Sequence, residues 1–356
     1  MENTVERFDE NFRVETNIQR SNIKFYSPLE PPFSIHGVIF ENGSYVRMPE
    51  AAAKSVSEAV LGLSKHSAGG RIRFVTDSSY LIVKAKYKAT SIAGQMAILG
   101  RYGFDLYVDY GEGEKYFKSY IPTVKDKTEY EGVVDFRDNR RKKTVTINLP
   151  LTAEVAEIYL GLYEPSLVEA APDYRIKTPI VYYGSSITQG GCASRPGTCY
   201  TSMLSRRYGA DYLNLGFSGS AKGEETMAKY VADLDMSIFV YDYDYNSPTL
   251  EEYEATHEAF FRIIRDSHPD IPIVIATRPR YNLNDDHLAR IEIARRTYER
   301  AIESGDKNVY FVDGRTLMDF AKEDGLVDDT HPNDLGFFNM TQGFARVMDR
   351  ILGYTE

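Results

Sequence analysis

The chain has no tryptophan and only two cysteines, Cys192 and Cys199, among its 356 residues. Two thiols are too few for a disulfide framework, and they make no zinc site without other ligands. Basic residues are also in deficit. Lys and Arg number 42 against 52 Asp and Glu, leaving a net charge of −10. A nucleic-acid partner usually demands a basic face, so the charge balance argues against one, and an anionic membrane surface is disfavoured for the same reason. No run approaches the roughly 18 apolar residues of a membrane-spanning helix. The opening Met1-Glu2-Asn3-Thr4-Val5-Glu6-Arg7 has no basic stretch leading into an apolar one. No signal peptide is therefore expected, and the expected location is cytoplasmic.

What is present is an ordinary soluble mixture, long enough for two domains. Tyrosine is abundant, with 27 residues. Rings with a polar tip suit sugar surfaces, although core and sheet packing claims most of them.

Residues 1 to about 20 are polar and read as a lead-in. Short strand-like runs with close turn signals then follow to about residue 162. They include Phe33–Phe40, Arg71–Val75, Tyr80–Tyr87, Gly103–Val108, Lys143–Leu149 and Ala156–Leu162. Asn42-Gly43 between two such runs is a strong hairpin signal. Thr76-Asp77-Ser78-Ser79 is read as a second hairpin. Ala51–Leu63 is either a helical excursion or a loop. The pattern predicts an antiparallel β-sandwich or jelly roll over residues 1–172. Near Pro172 it switches. Strands expected at 180–183, 211–216, 236–242, 271–277 and 308–313 alternate with helices, the last near Asn333–Leu352. Such βα units predict a parallel sheet covered on both faces over residues 173–356.

Ile180-Val181-Tyr182-Tyr183 ends abruptly in Gly184-Ser185-Ser186. That is a buried strand delivering a hydroxyl to a tight turn, where open α/β folds place their chemistry. A serine nucleophile at neutral pH needs a base, and the base needs an orienting group. His331 follows the last strand and reaches the same sheet edge. Asp328, three residues earlier, can orient it, with Asp329 and Asp334 as competitors. Asn333 or Asp334 also suits a helix N-cap there. The other histidines fall in helical patterns, polar loops or the β region. A tetrahedral intermediate needs fixed donors. Gly219, after the second strand, can present its N–H, and Asn246, after the third, its side-chain amide. Each also serves as an ordinary turn residue.

These residues resemble the sequence blocks of the SGNH (GDSL-type) hydrolase superfamily. Gly184-Ser185-Ser186-Ile187-Thr188 is similar to its Gly-Asp-Ser block, with Ser185 in place of the usual aspartate. Gly219, Asn246 and Asp328-Asp329-Thr330-His331 match the remaining blocks in order. Asn282 and Asn284 are alternatives to Asn246. The resemblance implies a flavodoxin-like sheet, Ser186 as nucleophile, and an oxyanion hole from the Ser186 N–H, the Gly219 N–H and Asn246. It implies no metal or cofactor. The arrangement as a whole also resembles two-domain bacterial carbohydrate acetylesterases, with a jelly-roll domain before the SGNH domain. The expected activity is removal of O-acetyl groups from plant-type oligosaccharides such as mannan or xylan fragments. A lipid or thioester acylhydrolase and a non-catalytic carbohydrate-binding protein are the alternatives. Arg195 is expected to line the entrance, and Tyr243 and Tyr245 to offer rings to a sugar. The sugar, the acetylated hydroxyl and the oligomeric state are left open, a homodimer included.

Overall fold

A computed structural model describes residues 14–90, 93–123 and 128–354. Most of the expected lead-in lies outside the described residues.

Five strands form a parallel sheet: Ile176–Gly184, Ala210–Gly216, Ile238–Asp242, Ile273–Ala276 and Val309–Val312. Their order is second, first, third, fourth, fifth, which is the flavodoxin-like order. Strands covered on both faces carry apolar residues at most positions, which is why they read as near-continuous runs. Alternation then divides the side chains between two cores. Val181, Tyr183, Phe239 and Tyr241 face one layer, packed with Val231, Phe260 and Ile264. Ile180, Tyr182, Tyr212 and Val240 face the other, packed with Tyr200, Leu204 and Phe344. The helices Tyr200–Tyr208, Glu225–Ala232, Leu250–Ser267, Asp285–Glu303 and Asp334–Leu352 supply these layers. Side chains start three of them: Thr249 accepts from Glu252 N, Asn284 from His287 N, and Asn333 from Leu335 N and Gly336 N.

The first half holds two antiparallel sheets. One has the order Ile23–Tyr26, Ala153–Tyr163, Tyr80–Thr90, Glu129–Asp135. The other runs Val168–Glu169, Arg71–Thr76, Lys143–Asn148, Phe104–Asp109, Lys115–Tyr120, with Ser34–His36 also on Arg71–Thr76. Leu81, Val83, Leu160, Ile72, Phe74 and Ile147 share the core of this β-sandwich. Asn42 and Gly43, at φ 50° and 70°, make the turn between Ile39–Glu41 and Ser44–Val46. Two positive φ values define the tight hairpin turn that Asn-Gly favours.

The stretch Thr76–Ser79 is not a hairpin. Arg71–Thr76 pairs with Lys143–Asn148, whereas Tyr80–Thr90 pairs with Glu129–Asp135 and Ala153–Tyr163. The chain crosses between sheets here. The Ser78 hydroxyl holds the corner by donating to Tyr80 O at 2.6 Å and accepting from Tyr163 N at 2.9 Å.

Residues 50–64 form two short helices, Glu50–Val56 and Glu58–Ser64, with Ser57 capping the second. Met48, Ala53 and Val60 are buried in the core beside the parallel sheet. The first half of the chain thus completes the second half's packing. Arg47 strengthens this junction. It is buried and donates only to carbonyls: His66 O at 2.9 Å, Leu63 O at 2.6 Å, Asn214 O at 3.2 Å and Gly216 O at 2.5 Å. Burial without a carboxylate partner pulls its guanidinium down to about 9. Among the described residues, no helix is long and apolar enough to cross a membrane.

Candidate active site

Ser186 opens a single helical turn, Ser186–Gln189, directly after the strand Ile176–Gly184. The Ser185 side chain caps that turn, accepting from Ile187 N at 3.2 Å. Gly184 is required by crowding, because a Cβ there would lie 1.9 Å from Asp242 Oδ1. The Ser186 hydroxyl lies 2.9 Å from His331 Nε2. On the far side of the ring, Nδ1 is 2.9 Å and 3.1 Å from the two Asp328 oxygens. The structure therefore brings together the three residues singled out from the sequence. A carboxylate on Nδ1 keeps the proton there and leaves the Nε2 lone pair for the serine.

Asp328 is itself held. Its Oδ1 accepts from His331 N at 2.7 Å and Thr330 N at 2.8 Å. Burial pushes its carboxyl up, but these donors and the His331 ring outweigh that and hold it below the usual aspartate value. The competing aspartates are occupied elsewhere. Asp329 turns outward, its side chain 86% exposed. Asp334 accepts from Ser194 N at 2.9 Å and Thr198 Oγ1 at 2.8 Å.

Gly219 sits in a turn at φ 68°, and its Cβ position faces open space. Asn246 Nδ2 donates to Phe217 O at 2.9 Å, which ties the loop after the third strand to that turn. Asn284 is spent on its helix cap, and Asn282 O accepts from Arg280 Nε.

Gln189 was not singled out from the sequence, yet it braces this region. Its Oε1 accepts from Ser218 N at 3.2 Å and Ser218 Oγ at 2.9 Å. Its Nε2 donates to Leu151 O at 3.1 Å and meets His66 Nδ1 at 3.0 Å. Burial, helped by Arg47, pulls His66 down to about 3, so the ring stays neutral and Nδ1 accepts. Position in the strand-end run Ser-Ile-Thr-Gln was the available signal.

The expected sugar contacts change. Tyr243 is fully buried, its hydroxyl 2.9 Å from Thr256 Oγ1, and it cannot meet a substrate. Strand alternation puts it on the same face as Phe239 and Tyr241, inside the core. Tyr245 is half-buried, with the Arg278 guanidinium 4.3 Å from its ring centre. Arg195 Nη1 is committed to Asp105 Oδ2 and the Tyr107 hydroxyl, both at 2.7 Å, and the guanidinium lies 4.0 Å from the Tyr116 ring centre. It joins the loop after Ser186 to the β-sandwich.

Behind Ser186 lies Asp242, 4% exposed. Its Oδ1 accepts from Thr188 Oγ1 at 2.5 Å, and Oδ2 is buried without a hydrogen-bond partner. Burial, with Asp244 nearby, pushes its carboxyl up to about 8. The folded protein thus keeps a proton that the unfolded chain releases near the ordinary aspartate value, about 3.9. Its contribution to stability is complete below that value and declines as pH rises towards about 8. Asp242→Asn is expected to remove the decline. Melting temperatures at pH 5 and pH 8 should show the variant gaining on the wild type at the higher pH, and parallel curves would refute the assignment.

A serine, a histidine and an aspartate joined in this order, at the carboxyl edge of a flavodoxin-like sheet, define the class: an SGNH esterase fold. Residues 177–349 match the GDSL-like lipase/acylhydrolase family. Residues 23–167 match the N-terminal region of SGNH hydrolase-type esterases. The signature of that region, Gly-x-Asp-Leu-Tyr, stands here as Gly103-Phe104-Asp105-Leu106-Tyr107. The chain belongs to the SGNH (GDSL-type) hydrolase superfamily. No curated protein matches the sequence. Among solved structures, a candidate GDSL-like lipase from Bacteroides ovatus is 29% identical, with a TM-score of 0.84 over 93% of this chain and 98% of its own. The salicylyl-acyltransferase of a tetracycline biosynthetic pathway is 20% identical, with a TM-score of 0.78 over 94% of this chain and 98% of its own. An acetyl xylan esterase from the rumen bacterium Butyrivibrio proteoclasticus is 14% identical, with a TM-score of 0.61 over 94% of this chain and 100% of its own. The last two share the fold.

Proposed function

We propose that the protein is a serine esterase that removes O-acetyl groups from plant-type oligosaccharides such as mannan or xylan fragments. The observation that carries the esterase reading is the continuous chain Ser186 Oγ–His331 Nε2–His331 Nδ1–Asp328. His331 takes the Ser186 proton as the hydroxyl oxygen attacks the acetyl carbonyl. The Ser186 N–H, the Gly219 N–H and the second N–H of the Asn246 amide hold the developing oxyanion. The tetrahedral intermediate collapses, and His331 returns the proton to the departing sugar oxygen. Water, activated by the same imidazole, then releases acetate from Ser186.

The sugar substrate is supported by the fold, which an acetyl xylan esterase shares along its whole length. The proposed setting is cytoplasmic, acting on imported oligosaccharides. The division near residue 172 is read as two segments of one packed body, since residues 47–64 sit on the second segment. Acetate release from acetylated xylo- or manno-oligosaccharides tests the substrate. Turnover of simple acetyl esters with none on these sugars would remove it.

A second reading has its own observation. Val327, Leu335 and Phe338 are 44%, 41% and 53% exposed on the segments flanking His331, and Val327 N donates to His331 O at 2.9 Å. Exposed apolar side chains on these segments suit a longer or aromatic acyl group. If so, Phe338→Ser should weaken kcat/KM about tenfold or more for a long acyl ester and leave the acetyl ester within about twofold, since even one methylene in an apolar pocket contributes about 1–3 kcal/mol. Equal effects on both esters would remove this reading.

A further inference from the structure

Among the described residues, one cluster brings three different metal-ligating groups together: the Cys192 thiol, the Asp328 carboxylate and a nitrogen of His331. One ligand atom from each lies within 4.8 Å of the other two. We propose that this cluster is an inhibitory site for Zn²⁺, in which Cys192, Asp328 and His331 capture the ion and disarm the catalytic base.

Cys192 is placed by the loop that follows the nucleophile. Gly191 N donates to Ser186 O at 2.7 Å, and Ala193 N to Gly190 O at 3.1 Å. A Cβ on Gly191 would lie 3.4 Å from His331 Cδ2, so this loop runs along the imidazole edge. The cysteine is 6% exposed, whereas the side chains of His331 and Asp328 are 21% and 37% exposed. An ion can therefore arrive through the open His–Asp side and find the sulfur behind it.

The donor set selects the metal. Thiolate with imidazole and carboxylate suits Zn²⁺, while Mg²⁺ and Ca²⁺ prefer oxygen alone. Bonds of about 2.0–2.3 Å in a tetrahedron put ligand atoms about 3.3–3.8 Å apart, so the side chains need to close by about 1 Å. Binding releases the Cys192 proton to solvent and makes three bonds to the ion, with water as the fourth ligand. The inhibition follows from imidazole chemistry. A metal on Nε2 removes the acceptor for the serine proton. A metal on Nδ1 leaves the ring proton on Nε2, with the same result.

Metal binding stands independently of the esterase reading, and inhibition rests on it. The test uses the full chain in two assays. In the first, acetyl-ester hydrolysis is titrated with Zn²⁺. Micromolar ion should inhibit the wild type, a chelator should restore activity, and Mg²⁺ should have no effect. The half-inhibiting concentration, measured against each variant's own metal-free rate, should rise at least about tenfold in Cys192→Ser. In the second, Co²⁺ is added to Ser186→Ala, so no turnover is involved. A thiolate-to-cobalt absorption band should appear there and be missing when Cys192→Ser is added to the same background. Cys192→Ala serves in both assays if the serine variant does not fold. A cobalt band in a protein without esterase activity would remove the proposed function and leave the metal site. Equal zinc sensitivity of wild type and Cys192→Ser, or no cobalt–thiolate band, would overturn the proposal.

Discussion

Replacing Ser186 with alanine is expected to lower kcat on a small acetyl ester by roughly ten-thousand-fold or more, with KM nearly unchanged. In the proposed mechanism the serine oxygen alone forms the acyl bond. Its removal leaves His331, Asp328 and the oxyanion donors in place but with nothing to activate. His331→Ala should cost a similar factor, because an unassisted hydroxyl is a poor nucleophile at neutral pH. The double variant should be little worse than either single one, since the residues act as a unit. Folding should survive in Ser186→Ala. The backbone of the Ser186–Gln189 turn depends on the Ser185 cap, the Gly184 close approach and Gly190 at φ 101°, none of which involves the Ser186 hydroxyl. Melting temperatures of variant and wild type, compared alongside the kinetics, separate lost chemistry from lost structure.

The next largest effect is expected at Asp105, far from Ser186 in sequence and within the Gly103–Tyr107 signature. Asp105 is fully buried and accepts from Arg195 Nη1 at 2.7 Å, Gly197 N at 2.8 Å and Asn148 Nδ2 at 2.7 Å. These bonds hold the loop that carries Ser194 and Thr198. That loop in turn donates to Asp334, three residues after His331 and at the start of the last helix. Hydrogen bonds and short chain segments therefore connect the β-sandwich to the segment that carries His331. Asp105→Ala leaves Arg195 without its carboxylate and Gly197 N–H unpaired inside the protein. Breaking a buried pair on one side costs about 3–5 kcal/mol. A large fall in melting temperature is expected. In the fraction that stays folded, kcat should fall by about a hundredfold, the size expected from a displacement of about 1 Å in a catalytic group. KM should move little. Arg195→Lys, which keeps the charge and loses the fork, should give a milder form of the same pattern. A rise in KM with kcat intact would mean instead that Arg195 meets the substrate.

Much of this architecture was legible from residue patterns. The parallel strands carry β-branched and aromatic runs, because burial on both faces favours apolar side chains at most positions. The helices Leu250–Ser267 and Asp285–Glu303 start at Thr249 and Asn284, whose short side chains accept backbone N–H groups. The turn at Asn42-Gly43 is local chemistry, so it could be read locally. Thr76–Ser79 was misread because a turn between two strands looks the same whether they pair or part. The pairing is decided by Lys143–Asn148 and Ala153–Tyr163, which lie far along the chain. Tyr243 was misassigned although period-two alternation from Phe239 and Tyr241 already pointed it inward. Arg195 is a different case. Nothing near it in sequence announces Asp105 and Tyr107 as its partners. Three aspartates stood within reach of His331, and only the fold distinguishes Asp328 on the ring from Asp334 on Ser194.

In the proposed mechanism the reaction passes through an ester of Ser186. It is tested most directly by acid-quenching the enzyme during turnover of an acetyl ester and mapping the adduct by peptide mass spectrometry. One added acetyl group is expected, on the peptide carrying Ser186 and on that residue, absent from Ser186→Ala. Acetyl found on another residue, or full turnover by Ser186→Ala, would contradict it.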